Sequence, residues 1–67
     1  MIAYTLNGES RQLETPKAIT QLLEDLGYAG KRVAVEKNGE IVPKSLHATT
    51  LVEPDSRIEI VVAVGGG

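Results

Sequence analysis

Hydrophobic residues alternate with polar ones in three stretches of the chain and take a helical spacing in a fourth. Ile2, Tyr4 and Leu6 alternate with Ala3 and Thr5, the period of a strand that buries one face. Asn7-Gly8 follows, a strong hairpin signal, because both central residues of a type I′ turn need positive φ. The returning strand, Glu9 to Leu13, is mostly polar and belongs near a sheet edge. Thr15-Pro16 reads as a helix start, with threonine at N-cap and proline at N1. Ile19, Leu22, Leu23 and Leu26 then form one helical stripe, and Gly27 ends the helix as a C′ glycine. Arg32 to Lys37 alternates again, with Val33 and Val35 on one face. Asn38-Gly39 marks a second turn, and Glu40 to Val42 continues until Pro43 stops the ladder. Lys44 to Leu51 reads as a short helical or irregular segment capped by Ser45. After a turn at Pro54-Asp55-Ser56, Arg57 to Val62 forms the last strand, with Ile58, Ile60 and Val62 facing inward.

The order is strand, strand, helix, strand, short strand, strand. One helix laid across a mixed sheet buries both apolar faces with the least chain, which is the α+β arrangement called β-grasp or ubiquitin-like. Sixty-seven residues suffice for one such domain, expected over residues 1–64, with residues 65–67 as a flexible glycine tail. A domain of this size has little chain to spare for a deep polar cleft, so an autonomous multi-residue active site is not expected.

Composition narrows the chemistry further. With no cysteine, the chain has no disulfide, no thiolate nucleophile and no thiolate metal site, and one histidine makes no zinc cluster. Seven basic residues against nine acidic give a net charge of −2, and the basic ones are scattered. With only two aromatics, Tyr4 and Tyr28, nucleic acid is not an expected partner. The longest apolar run, Ile60 to Val64, falls far short of the roughly 20 residues of a membrane span. The N-terminus lacks the basic start and apolar core of a signal peptide. These features predict a cytoplasmic protein, monomeric alone, that binds no cofactor or metal itself and works through a partner.

Individual residues sharpen that picture. Gly27 to Lys31 has a faint phosphate-loop look, but the spacing is short, Arg32 replaces the hydroxyl residue, and the segment follows a helix, so it reads as a helix exit. His47 has no nucleophile or carboxylate spaced to use it and reads as a solvated or internally satisfied loop residue. Glu24 and Asp25 belong to the water-facing side of the helix. Val61 and Ala63 point away from the core by strand alternation, and a partner gripping the nearby terminus would land on them, with Arg57 at the rim.

Beyond Glu59 the chain carries no charge and ends IVVAVGGG. Gly65, Gly66 and Gly67 bury no side chain and lose the most entropy when ordered, so they do not serve stability. VAVEKNGEIVPKS (Val33 to Ser45), RIEIVVAVGGG, Asn7-Gly8 and LLEDLGY together resemble the ThiS family, the ubiquitin-like sulfur carriers of thiamine biosynthesis. The family usually has Gly-Asp before the last strand where this chain has Asp55-Ser56, and aspartate tolerates positive φ.

The resemblance implies chemistry at the Gly67 carboxylate, with no catalytic residue on the chain itself. A ThiF-like adenylyltransferase, using ATP and Mg²⁺, would adenylate it. A sulfur donor such as a cysteine desulfurase would convert it to a thiocarboxylate, and a ThiG-like thiazole synthase would take the sulfur. Gly65 and Gly66 would thread a narrow tunnel without a Cβ clash. The same ending is shared by MoaD-like carriers of molybdopterin synthesis and by ubiquitin-like modifiers. The reading from another class is a β-grasp interaction module with no chemistry at its terminus.

Overall fold

The computed structural model describes Met1 to Ala63; Val64 and the expected tail Gly65 to Gly67 lie outside the described residues. Seven strands, one α-helix and a 3₁₀ turn follow in the order β1 (Ile2–Leu6), β2 (Glu9–Leu13), β3 (Lys17–Ala18), α1 (Ile19–Asp25), β4 (Val33–Lys37), β5 (Glu40–Ile41), the 3₁₀ turn (Lys44–Leu46), β6 (Leu51–Val52) and β7 (Arg57–Val62). Five strands make a mixed sheet in the order β2-β1-β7-β4-β5. Only the central β1–β7 pair is parallel; the two hairpins and the β4–β7 pair are antiparallel. This is the β-grasp arrangement.

Both Asn-Gly turns adopt the positive φ that the hairpins demand, 50° and 83° at Asn7-Gly8 and 53° and 86° at Asn38-Gly39. β2 lies at the sheet edge with only Leu13 buried. The stripe on α1 packs Ile19, Leu22 and Leu23 onto Tyr4, Leu6, Val35, Ile58 and Ile60. Ile19 and Ile58 are wholly inaccessible, and burial of each side chain contributes about 2 kcal/mol.

The helix departs from expectation at its start. Thr15 and Pro16 do not cap it; α1 begins at Ile19, with Ala18 at N-cap and no side-chain cap. Lys17 and Ala18 are instead extended and pair with Val52 and Leu51 in a separate two-stranded sheet. The first helical N–H groups find backbone acceptors across the fold, Ile19 on Thr50 O (2.9 Å) and Thr20 on His47 O (3.1 Å). Tertiary carbonyls thus satisfy donors that a threonine cap would have served. Ser45 is likewise no cap: it lies inside the 3₁₀ turn, which Pro43 precedes. At the other end, Gly27 sits at φ 84°, Tyr28 N–H bonds Leu23 O and Gly27 N–H bonds Glu24 O, a Schellman closure. Glu24 and Asp25 are exposed.

Two lysines tie the small sheet down. Lys17 Nζ donates to Asp25 on the helix. Lys37 Nζ, at the end of β4, donates to Leu51 O at 2.8 Å and to Glu53 Oε1 at 2.7 Å. The hydrogen bond from Lys37, then its charge, holds the Glu53 carboxyl below its ordinary value. Folded Glu53 therefore binds a proton less readily than unfolded Glu53. The contact supports the fold above the ordinary glutamate pKa of about 4.3 and is lost as pH falls through the lowered folded value. Glu53→Gln is expected to lower the melting temperature at neutral pH and to melt at nearly the wild-type temperature in acid. Thermal melts across that range check it, and a constant offset at every pH would show that the pair carries no proton linkage.

Candidate functional site

β7 carries the chain out of the sheet, and its neighbours determine what surrounds that exit. In the β4–β7 ladder Val62 faces Val33 and Val61 faces Ala34, so the strand ends beside the loop that precedes β4. Ala63 N–H donates to Arg32 O at 2.9 Å, the last backbone bond among the described residues. Ile58 and Ile60 point into the core, while Arg57, Glu59, Val61 and Ala63 are exposed. Val61 is 61% exposed, a large apolar side chain left to water next to the departing chain.

The sites expected from sequence do not all come together. Val61 and Ala63 line one groove, which also takes in Tyr28, Arg32 and Ala34. Arg57 stands at the opposite end of β7, six residues and about 20 Å from Ala63 along an extended strand. The expected roles of Gly65, Gly66 and Gly67 lie outside the described residues. His47 is buried, with Nε2 3.0 Å from Val42 O; a carbonyl only accepts, so Nε2 carries the proton. Among the described residues no cluster of His, Cys, Asp or Glu could hold a metal ion, and no helix is long and apolar enough to cross a membrane.

Sequence reasoning missed the residues that hold the exit strand in place. β1 pairs with β7 only at Thr5–Arg57 and Leu6–Ile58 before turning away at Asn7. Ile60 would then lose its partner on that side, but the Asn7 side chain replaces it. Asn7 Oδ1 accepts from Ile60 N–H at 2.8 Å, and Asn7 Nδ2 donates to Ile60 O at 3.3 Å. On the other flank Asn38 Oδ1 accepts from Arg57 N–H at 2.8 Å, while Asn38 N–H donates to Arg57 O. A primary amide offers the same donor and acceptor as a peptide group, so the Asn7 side chain alone extends the β1 side of the ladder, while Asn38 extends the other with its side-chain oxygen and its own backbone N–H. The available signal was asparagine, rather than aspartate, before Gly8; aspartate has no donor for Ile60 O.

The sequence model of the ThiS family matches residues 4–67. The chain belongs to the ThiS family. A crystal structure of the thiamine biosynthesis protein ThiS from Geobacter metallireducens superposes with a TM-score of 0.84 at 29% identity, covering 98% of this chain and all of that one. A thiazole synthase of Paramagnetospirillum magneticum is 44% identical over 62 residues, 92% of this chain but 19% of that protein. A second thiazole synthase, from Magnetococcus marinus, is 37% identical over the same share, so the chain spans about a fifth of these relatives. The uncharacterized protein ycf40 of Porphyra purpurea is 32% identical over 98% of this chain and 93% of its own. The Asp55-Ser56 departure is accommodated: Asp55 takes φ 64°, and buried Ser56 accepts the Glu53 N–H on Oγ at 3.0 Å.

For this ThiS-family chain the asparagine clasp has a direct test. Asn7→Gly keeps the positive φ and removes both amide bonds to Ile60. It is expected to cost about 1–3 kcal/mol in urea denaturation and to speed amide exchange at Ile60 more than at Val35. Unchanged stability and exchange would show that the side chain does not pair with β7.

Proposed function

We propose that this chain is a sulfur carrier for thiazole formation, a protein cosubstrate rather than an enzyme. The observation that carries the reading is the pair of thiazole synthases in which about a fifth of the chain is similar to this one. A carrier joined to the enzyme that takes its sulfur meets it at high effective concentration. The same observation favours thiazole over molybdopterin synthesis.

In this reading the chemistry lies at Gly67. An α-carboxyl with a pKa of about 3.5 is anionic at neutral pH and resists nucleophiles, so it must first be activated. A carboxylate oxygen attacks the α-phosphorus of ATP on a ThiF-like adenylyltransferase, and pyrophosphate leaves. Sulfur from a persulfide-bearing donor, such as a cysteine desulfurase, then displaces AMP at the acyl carbon. Reduction of the resulting acyl disulfide by a thiol leaves the thiocarboxylate, whose sulfur a ThiG-like thiazole synthase incorporates. ATP and Mg²⁺ belong to the activating enzyme. With no cysteine to carry sulfur, the chain offers its terminus. Glycine leaves the acyl carbon unhindered, and Gly65 and Gly66 pass a narrow tunnel without a Cβ.

Intact mass spectrometry after incubation with the adenylyltransferase, Mg²⁺-ATP and a sulfur donor is expected to show oxygen replaced by sulfur in the C-terminal peptide alone. Sulfur elsewhere, or none in a system that sulfurates a known carrier, would overturn the reading.

Recognition follows from the same chemistry. Ordering a glycine segment costs about 1 kcal/mol or more per residue, so affinity has to come from the folded surface beside it. Val61 and Ala63 are the exposed apolar side chains there. Val61→Asp is expected to stay folded, since it replaces an outward side chain, and to weaken binding to the adenylyltransferase by burying an unpaired carboxylate. Calorimetric titration with circular dichroism as the folding control checks it, and unchanged affinity would move the docking surface elsewhere.

A further inference from the structure

The chain is acidic overall, yet most of the cations left unpaired among the described residues gather in one place. Of the seven basic residues, Arg11, Lys17 and Lys37 sit in ion pairs with Glu9, Asp25 and Glu53. Lys31, Arg32, Lys44 and Arg57 have no carboxylate within bridging distance among the described residues. Three of these four, Lys31, Arg32 and Lys44, line the groove that Val61 and Ala63 also line. Of the nine acidic residues only Glu24 reaches it. Three cations against one carboxylate, on a chain of net charge −2, is a local reversal of sign.

The groove has a further open element. β5 pairs with β4 only at Glu36 and Lys37, and Val42 N–H reaches Val35 O, after which the chain turns into the 3₁₀ segment. Val33 therefore presents a strand edge with no strand paired on that side among the described residues. Leu23, Tyr28 and Val33 give the groove an apolar floor beneath the cations. Its volume, about 640 Å³, exceeds what one small anion fills and suits several side chains of a protein segment.

We propose that this groove, ringed by Lys31, Arg32 and Lys44, seats an acidic segment with an apolar residue on the enzyme that adenylates Gly67. The proposal rests on the sulfur-carrier reading. Gly67 lies four residues beyond the groove wall at Ala63, a reach of at most about 14 Å, so an enzyme that holds Gly67 brings its surface over the groove. The cations therefore face the enzyme's surface around the mouth of its active site, where opposite charge speeds encounter and orients the carrier. Because Ala63 N–H is bonded to Arg32 O, a segment held by Arg32 also aims the chain leaving β7.

The test compares substitutions of equal charge inside and outside the groove, measuring association rates with the adenylyltransferase by stopped flow over a range of salt. Arg32→Glu and Lys44→Glu are expected to slow association on the order of tenfold each and to flatten its salt dependence. Arg11→Glu, on the outer edge strand, changes the net charge equally and is expected to alter the rate less than about twofold. At saturating enzyme the groove variants are still expected to gain the thiocarboxylate. Equal slowing by Arg11→Glu would assign the effect to net charge and overturn the proposal. So would wild-type rates in the Lys31→Glu/Arg32→Glu/Lys44→Glu triple variant, with circular dichroism confirming its fold. Millimolar inorganic phosphate that shifts the groove amides and leaves enzyme binding unaffected would make the groove a small-anion site instead. A wild-type chain that associates in this cation-dependent way but never gains sulfur would overturn the carrier reading alone; one that does not bind the enzyme overturns both.

Discussion

β7 is the last strand of the described chain and the middle strand of the sheet, so the β1–β2 and β4–β5 hairpins meet only through it. Without β7 the two halves of the sheet share no ladder, and α1 has no continuous floor to cover. Ile58 and Ile60 come from this strand and sit among residues from both hairpins and the helix. The clasp between Asn7 and Ile60 joins groups 53 residues apart in sequence. Closing such a separation costs loop entropy before any contact repays it, so the strand on which both hairpins depend is held by non-local contacts.

The same placement explains how a domain without a deep polar cleft can present a site. β7 is paired on both flanks at Arg57 and Ile58 and clasped by Asn7 at Ile60, and its final residues, laddered to β4, carry the chain outward with Val61 and Ala63 exposed beside it. The inward alternation that secures Ile58 and Ile60 leaves the intervening side chains to solvent. Packing on one face thus dictates presentation on the other. The cationic groove adjoins this exit because Val62 pairs with Val33 and Ala63 bonds Arg32, which fixes the 28–32 loop to the end of the strand.

What was legible in the sequence was whatever has a period or an unambiguous turn. β1, β4 and β7 alternate over five or six residues, α1 shows a full stripe, and both Asn-Gly pairs form the turns they signal. The β3–β6 pair was not legible, because two-residue strands have no period and their pairing depends on how α1 and the 3₁₀ turn are placed. That pairing also displaced the helix start from Thr15-Pro16, a local signal overruled by carbonyls of residues 47 and 50. At the site, outward Val61 and Ala63 followed from alternation alone; Arg57 is outward too, but at the far end of the strand. The gathering of Lys44 with Lys31 and Arg32 did not, since sequence spacing says nothing of which loops fold to one side.

The two asparagine clasps also bear on the chemical lifetime of the molecule. Asparagine followed by glycine is prone to deamidation, because glycine leaves its own nitrogen free to attack the side-chain amide and expel ammonia. In the folded chain the Asn7 amide is engaged on both Ile60 backbone groups and the Asn38 oxygen on the Arg57 N–H. Attack requires those side chains to swing away, so ageing at these positions is coupled to opening of the sheet. Once Asn7 has become aspartate, a carboxylate oxygen replaces the donor that faced Ile60 O, and the strand loses a bond it cannot recover by refolding. A clasp built from amides therefore ages irreversibly, at the joint that supports the exit of the chain.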